Sequence, residues 1–565
     1  MAPWAKGGPQ GDAVRKQASR ASTDFETDER GGSAIVAQYD YIVIGAGSAG
    51  AVVAARLAEN PDIQVLLLEA GGKDTDHPDI ADPGAWPYKL QGTEVDWQYK
   101  STPQEHAAGR VGVVPRGRVL GGTSSINALV WVRGHSSDFD NWAYWGNYGW
   151  DYRGVLPSFR RCENYEYGEN EFHGAGGPIS VRRFREDNSN PVSVAMLEAA
   201  IEVGYPSTED FNGADMQGAG YNSVSINEDD TRAGTFMYLR NAPSNLTIMT
   251  HAQARRLLIE NGRCMGVEYA QTDGRNGGLQ RAEATEEVIV SCGAIDSPRL
   301  LMLSGIGPAD HLRQLGIDVK VDSPGVGQNL MDHLLTGVVY ESKKDVPLAT
   351  WANHSETTLF WPDDERGIGL CPGMQIQFIH IPFAPEGFTA PEEGNGYTVT
   401  PGPNRVLSRG ELTLRSANPD DVPLINFNYL KEEADLAAHV RGIRMSREIG
   451  EANALKEWRK REVLPGPERK TDTELRDFVR RAASTIYHPS GTCKMGIDNM
   501  AVVDPDLRVY GVEGLRVADA SIMPSITSGN TNAPTVMIGE KCAELIRSGL
   551  GVDEITRTHS VRDAG

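Results

Sequence analysis

The apolar, β-branched run Tyr39 to Ile44 stops at a glycine cluster, and this punctuation predicts a buried strand that ends in a tight turn. Helical spacing of small and apolar residues follows from Ala49 to Ala58, and a second strand pattern covers Gln64 to Leu68. A strand–turn–helix–strand unit of this kind predicts the start of a doubly wound sheet. Residues 71–150 are rich in Gly, Trp and Pro and predict extended loops on that scaffold; loops of such length are often functional. Strand patterns return at Leu246–Thr250, Arg256–Glu260, Cys264–Ala270 and Glu287–Cys292. Between 338 and 480 the alternation in Met374–Ile381 and Gly410–Arg415 predicts an antiparallel sheet, with helices at Glu432–Ile449 and Asp472–Ala483. Gly514–Glu544 reads as strand, loop and helix. No internal repeat or low-complexity block interrupts the chain.

Composition narrows the function classes. At 565 residues the chain is long enough for two or three domain-sized cores. A formal charge of −22 disfavours a polyanionic partner, so no nucleic-acid role is expected. No stretch approaches the roughly 20 apolar residues of a membrane span. The six cysteines (162, 264, 292, 371, 493 and 542) include no CxxC pair, which argues against a disulfide framework or a metal site. The first 37 residues lack the apolar core of a secretory signal and read as a loosely attached arm, and 549–565 read as a tail. A cytoplasmic protein is expected.

Gly45-Ala-Gly47-Ser48-Ala-Gly50 lies directly after the first strand and opens the helix. In such a motif the first glycine makes the turn, the second lets the backbone approach a pyrophosphate, and the third allows close helix–strand packing. The helix N-terminus then offers unpaired N–H groups to the phosphates. Glu69 stands at the end of the second strand, where an acid binds a ribose 2′-OH; Ala70 adjoins it. A carboxylate there disfavours NADP but does not separate NAD from FAD.

Three further segments make that separation. Gly117-Arg-Val-Leu-Gly-Gly-Thr-Ser-Ser-Ile-Asn127, Gly293-Ala-Ile-Asp-Ser-Pro through Gly307, and Gly325-Val-Gly-Gln-Asn-Leu-Met-Asp-His333 resemble signatures of the glucose–methanol–choline (GMC) oxidoreductases. Tyr487-His488-Pro-Ser-Gly, Gly514-Leu-Arg-Val-Ala-Asp-Ala-Ser521 and Asn530-Thr-Asn-Ala-Pro534 are similar to the family's C-terminal segments, so the resemblance covers residues 38–548. It implies FAD and an α/β fold: a Rossmann-like FAD-binding domain with a substrate domain built on an antiparallel sheet covered by helices. The implied boundaries are 38–160, 237–337 and 484–548 for the first, and 161–236 and 338–483 for the second. Arg118, Val119, Gly122, Thr123, Asn127 and Ala128 fall where the family packs backbone against the flavin. Ala254 falls where adenine is read, Asp519 and Ala520 where the ribityl–phosphate part is held, and Asn532 and Ala533 where the flavin's pyrimidine edge is held.

The resemblance also implies the chemistry. A flavin removes a hydride from an alcohol carbon while a base takes the hydroxyl proton, and histidine suits the base because its ordinary pKa lies near neutrality. The family's paired positions are His488, the expected base, and Asn530, which cannot act as a base and is expected to orient the alcohol oxygen. Relatives that act as light-driven decarboxylases lack the histidine, and hydroxynitrile lyases are the other departure from oxidation on this scaffold. Within the family the chain is most similar to choline oxidases. Trp86, Phe383 and Tyr487 fall at aromatic positions of their ammonium box, but Leu335 region residues Asp332-His333-Leu334-Leu335-Thr336 carry no glutamate where those enzymes have one. Ser355, next to Glu356, takes the fourth aromatic position; Glu356 itself is expected to be a surface or hydrogen-bonded carboxylate. Without that acid a desolvated ammonium loses several kcal/mol of compensation, roughly, so a neutral primary alcohol is expected, with choline or a sugar or polyol as alternatives. Ile126 replaces the histidine that bonds FAD covalently, which implies non-covalent FAD. The expected partners are a small alcohol and an electron acceptor, O2 or another; a homodimer is compatible with the family.

Overall fold

The computed structural model describes residues 37–274, 278–348, 353–362 and 371–549. Apart from Ala37 and Gly549, the arm and tail expected from the sequence lie outside these residues.

Two large sheets organise the chain. The first has the strand order Ala252–Glu260, Arg263–Gln271, Leu279–Val290, Ala37–Ile44, Val65–Leu68, Leu246–Met249, with Leu515–Val517 also paired to Leu279–Val290. Val65–Leu68 has parallel neighbours on both sides, Tyr41 opposite Val65 and Val65 opposite Leu246. Covered on both faces, it is built from four consecutive apolar residues, all buried. The 12-residue strand Leu279–Val290 has three partners: Ala37–Ile44, Arg263–Gln271 antiparallel to its first part, and Leu515–Val517 parallel to Val288–Val290. The helix Gly50–Leu57 packs against the C-terminal helix Asn532–Ser548 at Gly539, where a methyl group would fall 2.7 Å from the carbonyl oxygen of Ala49.

The second sheet is six-stranded, in the order Arg459–Leu464, Val338–Ser342, Gly396–Pro403, Met374–Ile379, Thr357–Trp361, Gly218–Tyr221. Every neighbouring pair is antiparallel. The helices Pro191–Glu202 and Glu433–Glu451 cover it. Glycines set the distance: a methyl at Gly442 would fall 2.5 Å from Pro401 Cβ.

The sequence pattern and the structure differ in one strand. Glu411–Thr413, from the expected run Gly410–Arg415, does not join the large sheet; it pairs with Leu424–Asn426 in a two-stranded ribbon. The connecting residues form a local turn, with Ser416 Oγ and Asn418 Nδ2 both donating to Asp421, and this turn chemistry closes the run on itself. The loops 71–150 are punctuated by short 3-10 turns, a π-helical turn at Trp86–Leu90, a two-stranded ribbon of Tyr99–Lys100 and Val113–Val114, and one α-helix, Ser136–Tyr144. Among the described residues, no helix is long and apolar enough to cross a membrane.

Candidate active site

A cleft runs from the C-terminal end of the first sheet to His488 and Asn530. Strand ends, the glycine turn and the starts of two helices line it. Crowding explains the glycines. At Gly45, with φ +95°, a methyl would sit 2.5 Å from Ser291 O; at Gly122, with φ +53°, it would sit 2.6 Å from Gly47 Cα. Neither the helix Gly50–Leu57 nor Asn532–Ser548 carries a side-chain N-cap, so their first N–H groups remain available beside the cleft, where electronegative groups are favoured. Glu69 lines the cleft and accepts from Ala46 N and Gly71 N, both at 2.9 Å. Burial pushes its carboxyl up to about 7 against the pull of those two donors. Asp519 accepts from Ser297 Oγ at 2.5 Å and Gly293 N at 2.8 Å. Asn530 Oδ1 is buried and has no hydrogen-bond partner among the described residues. Because Asn530 lines the cleft, a group bound there would satisfy that atom. Glycine-lined walls, two uncapped helix starts and this unpaired amide oxygen fit a bound dinucleotide with a polar ring edge.

His488 is fixed from three directions. Its backbone N–H donates to Asp332 Oδ1 at 2.8 Å, its Nδ1 lies 3.0 Å from His333 Nδ1, and its Nε2 lies 3.3 Å from Asn530 Nδ2. Asp332 also accepts from Tyr429 OH and Thr485 Oγ1, each at 2.5 Å, and from His333 N. The tautomers follow from elementary donor rules. The carbonyl of Asn404, 2.8 Å from His333 Nε2, can only accept, so that nitrogen carries the proton. Burial, partly offset by this carbonyl, pushes His333 down to about 4, so its ring is neutral and Nδ1 is a lone pair. The proton between the two rings therefore sits on His488 Nδ1. Burial, His333 and the Arg116 guanidinium hold His488 well below the ordinary histidine pKa, which leaves Nε2 as a free base facing Asn530. Tyr487, just before it, is held at φ +70° by Thr485 Oγ1 on its N–H and Arg116 on its carbonyl.

Most residues singled out from the sequence meet in this cleft: Gly45, Gly47, Ser48, Glu69 and Ala70 at one end; Gly122, Thr123, Asn127 and Ala128 along a wall; Ala254, Asp519, Ala520 and Asn532 opposite; and Tyr487, His488 and Asn530 at the far end. Gly50, Val119 and Ala533 are buried without lining it. Arg118 lies over the ring of Trp97, 4.9 Å from its centroid. Three of the four substrate-pocket candidates do not line the cleft. Trp86 donates Nε1 to Asn353 O, Leu335 pairs with Ser484, and Phe383 is 38% exposed. Glu356 is fully buried, accepting from Ser193 Oγ at 2.6 Å and His380 Nδ1 at 3.1 Å. Sequence reasoning missed Arg116 and Asn404 and gave Asp332 and His333 no role, although the Asp-His pair was visible in the third signature.

Residues 39–335 and 406–539 match the two GMC oxidoreductase family models. The chain belongs to the GMC oxidoreductase family. It is an FAD-dependent enzyme that oxidises alcohols. The oxygen-dependent choline dehydrogenase of Burkholderia lata is 43% identical over 535 residues, covering 90% of this chain and 94% of its own. Among solved structures, pyridoxine 4-oxidase from Mesorbium loti is similar with a TM-score of 0.84 and 37% identity over 90% of this chain and 98% of its own. Formate oxidase gives a TM-score of 0.83 at 30% identity, over 91% of this chain and 99% of its own.

Proposed function

We propose that His488 Nε2 takes the hydroxyl proton of a neutral primary alcohol while Asn530 orients the alcohol oxygen, giving the aldehyde. FAD, when bound, supplies the acceptor for the hydride. The observation that carries the reading is His488 Nε2 lying 3.3 Å from Asn530 Nδ2 at the end of the cleft. The amide donates to the alcohol oxygen, the hydroxyl points at Nε2, and the ring keeps its orientation through Nδ1–H donated to His333. Gly45, Gly47, Glu69, Asn127, Ala254, Asp519 and Asn532 would hold the cofactor from the two sides described above. The division into an FAD domain and a substrate domain at the boundaries given above is supported by the separate strand sets of the two sheets.

Charge at the reactive end favours a neutral substrate. Arg116 lines that end, and the carboxylates that line the cleft among the described residues are Glu69, Asp296 and Asp519. All three are committed to protein donors, Asp296 to Tyr99 OH and Arg299. Among the described residues, no uncommitted acid lines the cleft at the histidine to pair with an ammonium. The similarity to pyridoxine 4-oxidase, whose name gives an aromatic alcohol, supports this class. The similarity to choline dehydrogenases supports choline as the second reading, and their oxygen dependence supports O2 as acceptor. Six unpaired cysteines support a cytoplasmic setting.

Anaerobic bleaching of the yellow holoenzyme by benzyl alcohol, pyridoxine, choline, hexanol and glucose tests both readings. The aromatic alcohols are expected to reduce it fastest, and fastest reduction by choline would replace the neutral reading. A flavin-loaded His488→Ala variant is expected to be slower by orders of magnitude; unchanged reduction would remove the base.

A further inference from the structure

The six-stranded sheet reaches the histidine pair through one residue that no signature marks. Asn404 directly follows the strand Gly396–Pro403 and is 1% exposed. All four of its polar groups are committed. Its N–H donates to Gly373 O at 2.9 Å and its Nδ2 to Pro372 O at 3.0 Å, which anchors it to the segment leading into the neighbouring strand. Its two acceptors serve the two halves of the reactive pair. The backbone carbonyl takes the proton of His333 Nε2 at 2.8 Å, and the side-chain Oδ1 takes the N–H of Gly529 at 3.1 Å, one residue before Asn530.

Each acceptor fixes something that no other group among the described residues fixes. The carbonyl decides which nitrogen of His333 is protonated and therefore, through the 3.0 Å contact, which nitrogen of His488 is the base. Oδ1 satisfies a buried N–H at a position that admits only glycine: φ is +86°, and a methyl there would fall 2.6 Å from Val132 Cγ1. Asp138 secures the other side of the same turn, through Ser528 N at 2.7 Å and Ser528 Oγ at 3.1 Å. Asn530 therefore projects from a turn clamped by Asp138 on one side and Asn404 on the other.

We propose that Asn404 is the positioning residue of this site, coupling the tautomer of His488 to the placement of Asn530 through one rigid peptide and its side chain. The proposal rests on the reading of His488 and Asn530 as the reactive pair. It assigns Asn404 no contact with substrate. It makes a rotation or shift of this residue move both groups together, so that neither proton acceptance nor alcohol orientation can be lost alone.

The test compares Asn404→Ala with Asn404→Asp as FAD-loaded full-length protein. A buried aspartic acid, when protonated, keeps an acceptor for Gly529 and a donor for Pro372 O. Anaerobic reduction by benzyl alcohol and choline is read per bound FAD, with KM, flavin content and Tm measured alongside. The alanine variant is expected to be slower on the order of 10- to 100-fold at little-changed KM, as for misplaced reacting groups, and the aspartate variant to recover most of the rate. A residue that only supports packing would lower Tm and flavin content and leave the rate per bound FAD at the wild-type value; that result overturns the proposal. A second measurement uses the wild-type holoenzyme: histidine 15N NMR, assigned with His333→Gln and His488→Ala, is expected to show His333 protonated at Nε2 and His488 at Nδ1. Finding His488 protonated at Nε2 overturns it independently of any activity. If His488→Ala and Asn530→Ala reduce as fast as wild type, the underlying reading fails instead; if they are slow and Asn404→Ala is not, only the positioning role fails.

Discussion

Ser48 Oγ donates to Asn532 Oδ1 at 2.9 Å, joining residues 484 positions apart. The bond ties the glycine turn to the first residue of the C-terminal helix, so the two uncapped helix starts hold a fixed separation across the cleft. Ser48→Ala removes it. A net contribution of about 1 kcal/mol corresponds to about 5-fold weaker FAD retention, measured by titrating apoprotein with FAD and following flavin fluorescence.

His333 sets the protonated nitrogen of its neighbour, so substitutions there separate by hydrogen-bond capacity. His333→Phe removes the acceptor for His488 Nδ1–H, and kcat and kcat/KM are expected to fall together by about 100-fold. His333→Gln still offers a donor to Asn404 O and an acceptor to His488, and is expected to be much less impaired. Equal impairment of the two variants would separate His333 from tautomer control.

On the proposed mechanism, His488 must be unprotonated to accept a proton. Burial first, then His333 and Arg116, lowers its pKa, so the base form persists to well below the ordinary value of about 6.5. The acidic limb of kcat/KM is therefore expected below that pH, with a plateau above it. Arg116→Gln removes one of the lowering influences, so the limb should move to higher pH; a shift in the opposite direction would contradict the placement of that guanidinium.

Ile126 lines the cleft and is 2% exposed. An aliphatic side chain offers no atom for a covalent link. Acid precipitation is expected to release the flavin quantitatively into the supernatant, and yellow colour retained in the washed pellet would show a bond to some other side chain.

A buried ionic cluster away from the cleft predicts a stability effect. His173 contacts Glu163 at 2.9 Å and Asp210 at 2.8 Å, Arg133 pairs with Glu163, and the ring of Tyr165 stacks on the imidazole at 3.7 Å. Burial alone would lower the histidine pKa, but the two carboxylates outweigh it and raise it. A raised folded pKa contributes stability that is complete below the unfolded value of about 6.5 and disappears as pH rises through the folded one. The Tm advantage of wild type over His173→Gln is therefore expected to shrink in alkaline buffer. Glu163→Gln leaves Arg133 buried without its countercharge and is expected to cost about 3–5 kcal/mol, read by denaturant unfolding.

The legible parts of this molecule were the local ones. Gly45, Gly47 and Glu69 could be placed because a strand, turn, helix and second strand adjoin in sequence, and each glycine answers to crowding by its own neighbours. His488 and Asn530 were legible as segments resembling a family, since 42 positions separate them. Asn404 gave no signal: its partners are His333 and Gly529, 71 and 125 positions away, and an asparagine after a strand usually reads as turn chemistry. Trp86, Leu335 and Phe383 were carried over by position alone, which does not report which way a loop directs its side chains. Glu356 was anticipated as a hydrogen-bonded or surface carboxylate; its partners are Ser193 and His380, and it has no surface at all.

The strand Leu515–Val517, slotted beside Val288–Val290, has a consequence for biosynthesis. A nascent chain emerges from the ribosome N-terminal end first, at about 5–20 residues per second. The glycine turn at residues 45–50 therefore appears well before the opposite wall of the cleft, from Asp519 to Thr535. On the proposed cofactor site, loading therefore waits for the wall that follows residue 515, and a polypeptide truncated before that residue would carry only half of the cradle.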